Sequence, residues 1–317
     1  MGDGDIGLDL GAQYDGDDAF ARQIRAHQSW YRAAVLNVAP GVGPQAGSST
    51  TYGNYLPADA AERGDNFLTE HIWQVVQDRI GQGGGVERYR CLHNLLSSQP
   101  MCFNLFGQLA GRRDVASRLL SASLPDIVGE VEEVHIEWAP EPKERYLDDA
   151  TSFDAFVKVR RADDGALGFL AIETKLTEPF SQKEYSLDHR PAYGRMVEGH
   201  DAPWTAEGRE QVTDHRWNQL WRNHMLTVSL VENEGSPYEF GVPVVVHHPL
   251  DVRGIEAVDG YRDLLRDPTS IETFDLREIV DQWRPLTEAE EDRDWIDRFD
   301  VRYLQLGLSG RAVAALR

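Results

Sequence analysis

The sequence predicts an α/β fold, in which a mixed sheet carries flanking helices and both ends of the chain add further helices. Apolar residues recur at helical spacing up to about residue 121, and alternating segments typical of strands follow from residue 126. Helical patterns return after residue 250. The middle region has the order of a three-strand meander, then a helix and a strand, which is typical of a mixed sheet.

The N-terminal third is predicted to be helical. The helices are expected over residues 17–36, 65–80, 86–109 and 112–121, the third with a bend at Pro100 if it is continuous. Residues 38–57, rich in Gly, Ser and Pro, predict a loop between the first two helices.

The strands of the meander are predicted over residues 130–140, 152–161 and 168–176. Asp164-Gly165 predicts a hairpin turn between the second and third strands. A long helix within 205–231, a strand over 239–249 and C-terminal helices complete the prediction. We divide the chain accordingly into an acidic flexible N-terminus (1–18), a helical part packed on the core (19–125), the core (126–250) and a C-terminal helical part of the same domain (251–317).

The composition indicates an ordinary globular protein, with 317 residues, 41% hydrophobic and 27% charged. No apolar run approaches the roughly 20 residues of a membrane helix, and the acidic N-terminus is unlike a secretory signal. Cys91 and Cys102 are the only cysteines, and we expect them to be buried thiols. These features predict a cytoplasmic protein with no membrane partner.

The formal net charge of −21 argues against a nucleic-acid partner, but the acids are unevenly distributed. Residues 1–18 hold six Asp and no base, whereas residues 19–58, 88–113 and 215–231 contain no acid and carry arginines. These stretches predict either buried helices or one basic, DNA-binding face. The arginines assigned to that face are Arg88, Arg90, Arg216 and Arg222, with some of Arg22, Arg25 and Arg32.

The segment GFLAIETKL (168–176) places a carboxylate and an ammonium on one face of an otherwise apolar strand. Glu173 and Lys175 alone would suggest a solvated ion pair. If Asp164-Gly165 are the two turn residues, Asp154 lies opposite Lys175 and Phe156 opposite Glu173. Two carboxylates and an ammonium then share one face, an arrangement suited to Mg²⁺ and to phosphodiester hydrolysis.

These residues resemble the PD-(D/E)xK nuclease superfamily, which has the restriction-endonuclease-like fold. Asp154 is followed after 19 residues by Glu173-Thr174-Lys175, and the element order of residues 130–249 matches that core. Further stretches are similar to a bacterial branch of restriction-type endonucleases: SSQPMCFNLFG (97–107), IEWAP (136–140), TSFDAFV (151–157) and NQLWRN (218–223). The resemblance covers most of residues 20–250.

The resemblance implies that Asp154 and Glu173 bind a metal together with the carbonyl of Thr174, that Lys175 is the catalytic lysine and that Gln219 assists them from a helix. It also implies Mg²⁺ as cofactor, with Mn²⁺ able to substitute. The pattern departs in two respects. Phe153 precedes Asp154 where the family motif has proline, and the literal Pro125-Asp126 pair lies 47 residues before Glu173.

Other residues are weaker candidates. The literal Pro125-Asp126 pair precedes the first strand, so we interpret Asp126 as a helix or turn residue. Glu137 in the first strand is an additional site candidate, and the alternative is a charge on the face of the sheet. Gln99 and Asn104 are also candidates, and the alternative for both is hydrogen bonding inside the protein. The pair His247-His248 resembles metal ligands only superficially, because adjacent strand residues face opposite ways.

The sequence therefore predicts a Mg²⁺-dependent DNA endonuclease of restriction or phage-defence type, with a homodimer as one arrangement. Two alternatives remain: a degenerate nuclease fold that serves as a DNA-binding or scaffold module, and a metal-independent hydrolase that uses Asp154 and Glu173 as acid and base. Against the second, Lys175 is expected to keep both carboxylates ionised. No Walker loop or Gly-x-Ser-x-Gly elbow is present to indicate another chemistry.

Overall fold

The computed structural model describes residues 8–45, 49–148, 150–180, 191–199 and 202–314. The chain forms two compact units: unit 1 comprises residues 1–108 and 276–317, and unit 2 comprises residues 109–275. Within the described residues, none of the helices has the length and apolar character that a membrane span requires. The fold is mixed α/β, as the sequence predicts.

The described helices, in chain order, are α1 (Ala19–Trp30, continued by a π-helical turn at Tyr31–Leu36), α2 (Ala58–Arg63), α3 (Glu70–Gln82), α4 (Arg88–His93), α5 (Ser98–Phe106), α6 (Arg113–Ser123), α7 (Pro191–Glu198), α8 (Ala206–Gln211), α9 (Asn218–Glu232), α10 (Val252–Arg262), α11 (Leu276–Trp283), α12 (Glu290–Tyr303) and α13 (Gly310–Ala314). The strands are β1 (Gly41–Val42), β2 (Thr51–Tyr52), β3 (Glu130–Trp138), β4 (Phe153–Arg160), β5 (Leu167–Lys175), β6 (Phe240–His247) and β7 (Glu272–Asp275).

Unit 1 joins the N-terminal helices to α11–α13. Arg302 of α12 is fully buried, and its Nη1 donates to the carbonyl of Asn66 at 2.7 Å. The amide of Gln28 on α1 donates to the carbonyl of Arg302 at 2.7 Å. Both buried polar groups are therefore satisfied by the contact between the two ends of the chain, as burial requires.

Unit 2 is built on one five-stranded sheet of order β3-β4-β5-β6-β7. The pairs β3–β4 and β4–β5 are antiparallel, and β5–β6 and β6–β7 are parallel. A parallel neighbour needs a crossover connection, and the segment between β5 and β6 contains α9.

The face of the sheet that bears the candidate site is packed against α9. Phe169, Ala171 and Val245 of the sheet share a core cluster with Trp221 and Met225 of α9. By the alternation of strand side chains, Glu173 and Lys175 lie on this same face, beyond the apolar part of β5.

Several predicted elements differ in the structure, among them the long helix predicted within 205–231, which is divided into α8 and α9. Residues 38–57 include the short antiparallel pair β1–β2. The predicted helix over 86–109 is interrupted between α4 and α5, ahead of Pro100. Ser97 caps α5 and accepts from the N–H of Gln99, so Pro100 falls in the first turn, where its missing N–H has no effect.

The C-terminal part is not wholly helical, because β7 extends the sheet beside β6. The predicted core of residues 126–250 lies within unit 2, which also includes α6 and β7.

Of the predicted flexible N-terminus, residues 1–7 lie outside the described residues. Ala12 forms a bridge with Tyr52, and Asp17 pairs with Arg25 at 2.5 Å. The Pro125-Asp126 pair lies in a turn, as predicted.

Candidate active site

Asp154 and Glu173 lie on adjacent strands, although the predicted register is wrong by two residues. Phe156 pairs with Ala171 and not with Glu173. The strands are antiparallel, so continuing this register by two residues places Asp154 opposite Glu173. The turn is longer than a two-residue hairpin, because the N–H of Arg161 donates to the carbonyl of Ala166 at 2.9 Å across it. A shift of two residues preserves the faces of both strands, so the predicted cluster survives.

Glu173 is buried, with 5% of its surface exposed, and both carboxylate oxygens accept hydrogen bonds. Oε1 accepts from Lys175 Nζ at 2.6 Å and from Gln219 Nε2 at 2.5 Å. Oε2 accepts from Asn223 Nδ2 at 2.8 Å. The three donors fix the orientation of a carboxylate that would otherwise be costly to bury.

Asp154 is bound to the neighbouring strand through Thr174. Its Oδ2 accepts from both the backbone N–H and the hydroxyl of Thr174, each at 2.8 Å. Burial and the negative charge of Glu173 nonetheless raise the pKa of Asp154 to about 7, against the lowering effects of Lys175 and Thr174. The charge of Lys175 favours the ionised form of Asp154, as the sequence predicts, but burial and the charge of Glu173 outweigh it.

Lys175 remains an ammonium. Burial alone lowers its pKa, but the charges of Glu173 and Asp154 and the hydrogen bond to Glu173 outweigh burial and raise the pKa overall. Its Nζ also donates to Gln219 Oε1 at 3.0 Å and lies 5.1 Å from the ring centroid of Phe180. The cation is thus held in place by the amide of Gln219 and the carboxylate of Glu173.

Gln219 and Asn223 reach Glu173 from the same side of α9. They are four residues apart, one turn of helix, so their side chains are neighbours. Gln219 is predicted from the sequence, whereas Asn223 is not. The signal was present, because two amides one helical turn apart lie on the helix that follows the Glu-x-Lys strand.

The donor set fits a small, hard divalent ion that keeps several waters. Asp154 and Glu173 repel each other, and a cation between them would relieve the repulsion that raises the pKa of Asp154. Among the described residues, no three His, Cys, Asp or Glu side chains are grouped so as to hold a metal. Any ion here would therefore bind through two carboxylates, with the Thr174 carbonyl and water completing its shell.

Glu137 on β3 is in register with Asp154, but the three acids Glu137, Asp154 and Glu173 are not grouped closely enough to hold a metal together. The register of β3 with β4 pairs Ile136 with Ala155 and Trp138 with Phe153, which brackets Glu137 beside Asp154. Glu137 is 5% exposed and adopts a left-handed backbone with φ of 54°, which is uncommon for a residue with a Cβ. Its part in the site stays a prediction.

Gln99 and Asn104 are engaged within unit 1. Gln99 accepts from the N–H of Glu87 at 3.1 Å, and its amide donates to the carbonyl of Gly85 at 3.2 Å. Asn104 is fully buried, and it accepts from the N–H of Leu68 at 2.9 Å. These bonds are the internal hydrogen bonding that the sequence left as the alternative for both amides.

The arginines predicted to bind DNA have different environments. Arg88 and Arg90 lie exposed on α4 in unit 1. In unit 2, Arg216 donates to Asp214 Oδ1 at 3.1 Å, and Arg222 donates to the hydroxyls of Thr151 and Tyr193.

Two further arginines are engaged inside the protein. Arg32 is buried and donates to the carbonyls of Asp9, Val38 and Gly53. Arg25 is paired with Asp17. Arg32 and Arg25 are thus structural.

A comparison with protein families matches residues 15–305 to the model of the PD-(D/E)XK nuclease superfamily. Searches of curated proteins and of solved structures gave no match. The matched range spans both units and nearly the whole chain, and it includes every residue of the site. On this match, and with a mixed sheet that brings Asp154, Glu173 and Lys175 together, the chain belongs to the PD-(D/E)XK nuclease superfamily.

Proposed function

We propose that the chain is a Mg²⁺-dependent endonuclease that hydrolyses phosphodiester bonds of DNA, of restriction or phage-defence type and active in the cytoplasm. The observation that carries the proposal is the cluster of Asp154, Glu173 and Lys175 on one face of two adjacent strands, in which Lys175 bonds Glu173 and Thr174 bonds Asp154. The proposed compartment is supported by Cys91 and Cys102, which are buried and form no disulfide.

The arrangement suits phosphodiester hydrolysis, in which negative charge increases on the phosphate as water attacks. A divalent ion bound by Asp154 and Glu173 would polarise the phosphate and acidify water. The ammonium of Lys175, fixed by Glu173 and Gln219, would orient the attacking water and offset the charge that develops. Because the amide of Gln219 bonds both Lys175 and Glu173, it fixes the spacing of the two charged groups.

One observation keeps the metal-independent acid–base hydrolase as a second candidate. The pKa of Asp154 is raised to about 7, so this carboxyl could serve as a proton donor at neutral pH. The two candidates differ in their need for metal. A metal ion would ionise Asp154, whereas the acid–base mechanism requires it to hold a proton.

The deciding experiment is cleavage of plasmid DNA with Mg²⁺, with Mn²⁺ and with excess EDTA. We expect cleavage only with a divalent ion, and we expect Lys175→Ala and Glu173→Gln to lower its rate by several powers of ten. Lys158→Ala is the matched control, because Lys158 lies on β4 and pairs with Glu132 at 3.0 Å. Activity in EDTA would favour the acid–base hydrolase.

Metal binding has an independent readout in thermal unfolding. An ion that binds only the folded protein should raise the melting temperature as its concentration increases. We expect this rise for the wild type and a much smaller one for Glu173→Gln. Metal-dependent DNA binding without cleavage would instead favour the degenerate module.

The substrate and biological role are tested separately. DNA and RNA of matched sequence, with and without methylation, would define the substrate, and phage plating efficiency on cells that express the wild type or Lys175→Ala would test a defence role. We expect DNA to be cut in preference to RNA.

Sedimentation with and without DNA would test the proposed homodimer.

A further inference from the structure

A histidine at the carboxyl end of β6 lies next to the site in the sheet. The parallel register pairs Lys175 with His247, and it pairs Glu173 with Val245. Paired residues of parallel strands face the same side, and neighbouring strands are about 4.8 Å apart. Val245 belongs to the core cluster beneath α9. His247 is two residues further along the strand, so it lies on the same face as Val245, which is the face that carries Glu173 and Lys175.

The hydrogen bonding of His247 defines which ring nitrogen carries the proton. Nδ1 lies 3.1 Å from the carbonyl oxygen of His248. A carbonyl only accepts, so Nδ1 must be the donor, and in the neutral ring Nε2 holds a lone pair. Within the described part of the chain, no hydrogen-bond partner is found for this Nε2.

His247 is also largely buried, with 8% of its surface exposed. Nε2 is not among the buried polar atoms without a partner in the described residues, so water can reach this acceptor through the exposed part of the ring. His248, the next residue, differs in this respect, because its Nδ1 accepts from the N–H of Leu250 at 3.1 Å. His247 thus combines burial, a defined tautomer and an available acceptor beside Lys175.

We propose that His247 is a further catalytic residue of this site and takes the proton from the attacking water. This inference rests on the proposed phosphodiesterase function. A water O–H bond breaks and its proton passes to Nε2, while the water oxygen forms a bond to phosphorus. The bond from phosphorus to the leaving sugar oxygen breaks, that oxygen takes a proton from solvent, and the imidazolium returns its proton to solvent.

The division of roles follows from charge. Lys175 is held as an ammonium by the neighbouring acids and can only donate. Glu173 is occupied at both oxygens by three donors. His247 therefore supplies what these two side chains do not offer, an uncommitted proton acceptor.

The test compares His247→Ala and His247→Gln with the wild type under metal-dependent DNA cleavage. General-base catalysis typically contributes about 10²–10⁴-fold in rate. We expect kcat to fall by about 10²-fold or more in both variants, with KM and with DNA affinity in Ca²⁺ unchanged. Glutamine fills the space but cannot accept the proton, and added imidazole should restore part of the activity of His247→Ala.

His248→Gln is the matched control and should retain the wild-type kcat per folded molecule. Wild-type kcat in His247→Ala, a change confined to KM, or a loss that imidazole does not restore would each overturn the role of His247 while leaving the proposed nuclease function intact. Lack of cleavage by the wild type, with every divalent ion tried, would instead overturn both.

Discussion

Glu173 and Asp154 are each fixed by hydrogen bonds that include donors distant in sequence. Glu173 accepts hydrogen bonds from Lys175 on its own strand and from Gln219 and Asn223 on α9. Asp154 is fixed through Thr174. Such multiple support holds catalytic groups in one geometry, which is what charge stabilisation in a transition state requires.

Replacing Asn223 should test this support. Asn223→Ala removes the donor to Glu173 Oε2, and removal of a comparable supporting residue typically costs about 10–100-fold in activity or metal affinity. Asn223→Asp should be worse, because it places a second carboxylate against Glu173. Cleavage rates and metal-dependent melting would measure both effects, with Ser229→Ala on the same helix as the control. Equal activity of all three variants would refute the supporting role.

Asp154 should make the metal-free protein less stable as pH rises. Its pKa is about 7 when folded, against an ordinary value of 3.8. Between these values the folded chain binds more protons than the unfolded chain, so the contribution to stability is full below about pH 4 and is lost as pH rises through about 7. The change is on the order of 4 kcal/mol.

Asp154→Asn keeps an acceptor for Thr174 and cannot titrate. Denaturant unfolding in EDTA between pH 4 and 8 should show a smaller loss of stability for this variant than for the wild type. Parallel curves for the two proteins would contradict the raised pKa.

At the scale of elements, α9 links the core of unit 2 to the site. One side of the helix packs Trp221 and Met225 into the core cluster, while Gln219 and Asn223 contact Glu173. The core residues and the two amides lie on one rigid helix. The distance between α9 and the sheet therefore determines how the amides are placed against Glu173.

Gly241 on β6 sets that distance. A Cβ at this position would lie 2.5 Å from Phe169 Cζ and 2.8 Å from Thr227 Cγ2 of α9. Gly241→Ala should therefore destabilise the protein by about 1–3 kcal/mol, the usual cost of overpacking, and should also reduce cleavage. Gly194→Ala on α7 is the control, since a Cβ there meets no atom of the described residues within 4 Å. Urea unfolding that finds the two variants equally stable would argue against this packing.

His224, also on α9, should give the opposite pH dependence from Asp154. Burial lowers the pKa of this imidazole from 6.5 to about 4, and its Nδ1 lies 3.1 Å from the hydroxyl of Tyr261. The unfolded chain binds more protons below pH 6.5, so this stability is present above pH 6.5 and is lost as pH falls through about 4. The change is on the order of 3 kcal/mol.

His224→Asn should remove this part of the acid sensitivity, whereas His215→Asn, at a half-exposed position, should leave it unchanged. The measurement is the free energy of unfolding from pH 7 to pH 4. An acid slope that persists in His224→Asn would assign it to other groups.

At the scale of the whole molecule, a net charge of −21 must be reconciled with a nucleic-acid substrate. Phosphates respond mainly to charges within a Debye length, about 8 Å at physiological salt, so local arginines matter more than the total. Arg88 and Arg90 are exposed, and no ion pair of their guanidinium groups is found among the described residues. Arg216, by contrast, is partly neutralised by Asp214.

The double substitution Arg88→Ala, Arg90→Ala should weaken DNA binding and reduce the salt dependence by about one unit of slope for each phosphate that is no longer neutralised. Affinity against salt concentration, measured with Lys175→Ala protein in Ca²⁺, would test this. Arg63→Ala is the control, because Arg63 is exposed but paired with Asp59 and Asp65. If affinity and slope do not change, α4 is not part of the DNA-binding surface.

The sequence by itself determined the strands that carry the site, because alternation and the Glu-x-Lys pair are local patterns. It also determined that Asp154, Glu173 and Lys175 share a face, since this depends only on whether the register is odd or even. The actual partner of each residue depended on the turn, where Asp164 and Gly165 form part of a longer loop. Local turn signals do not specify loop length, so the register was predicted wrongly by two residues.

Only the tertiary structure decided which side chains from distant segments meet at Glu173. Asn223 contacts it because α9 crosses the sheet, and His247 lies beside Lys175 because β6 pairs in parallel with β5. Both relations arise from contacts between residues more than 40 positions apart, and such contacts leave no periodic signal in a single sequence. The raised pKa of Asp154 has the same origin, since burial and the charge of Glu173 exist only after folding.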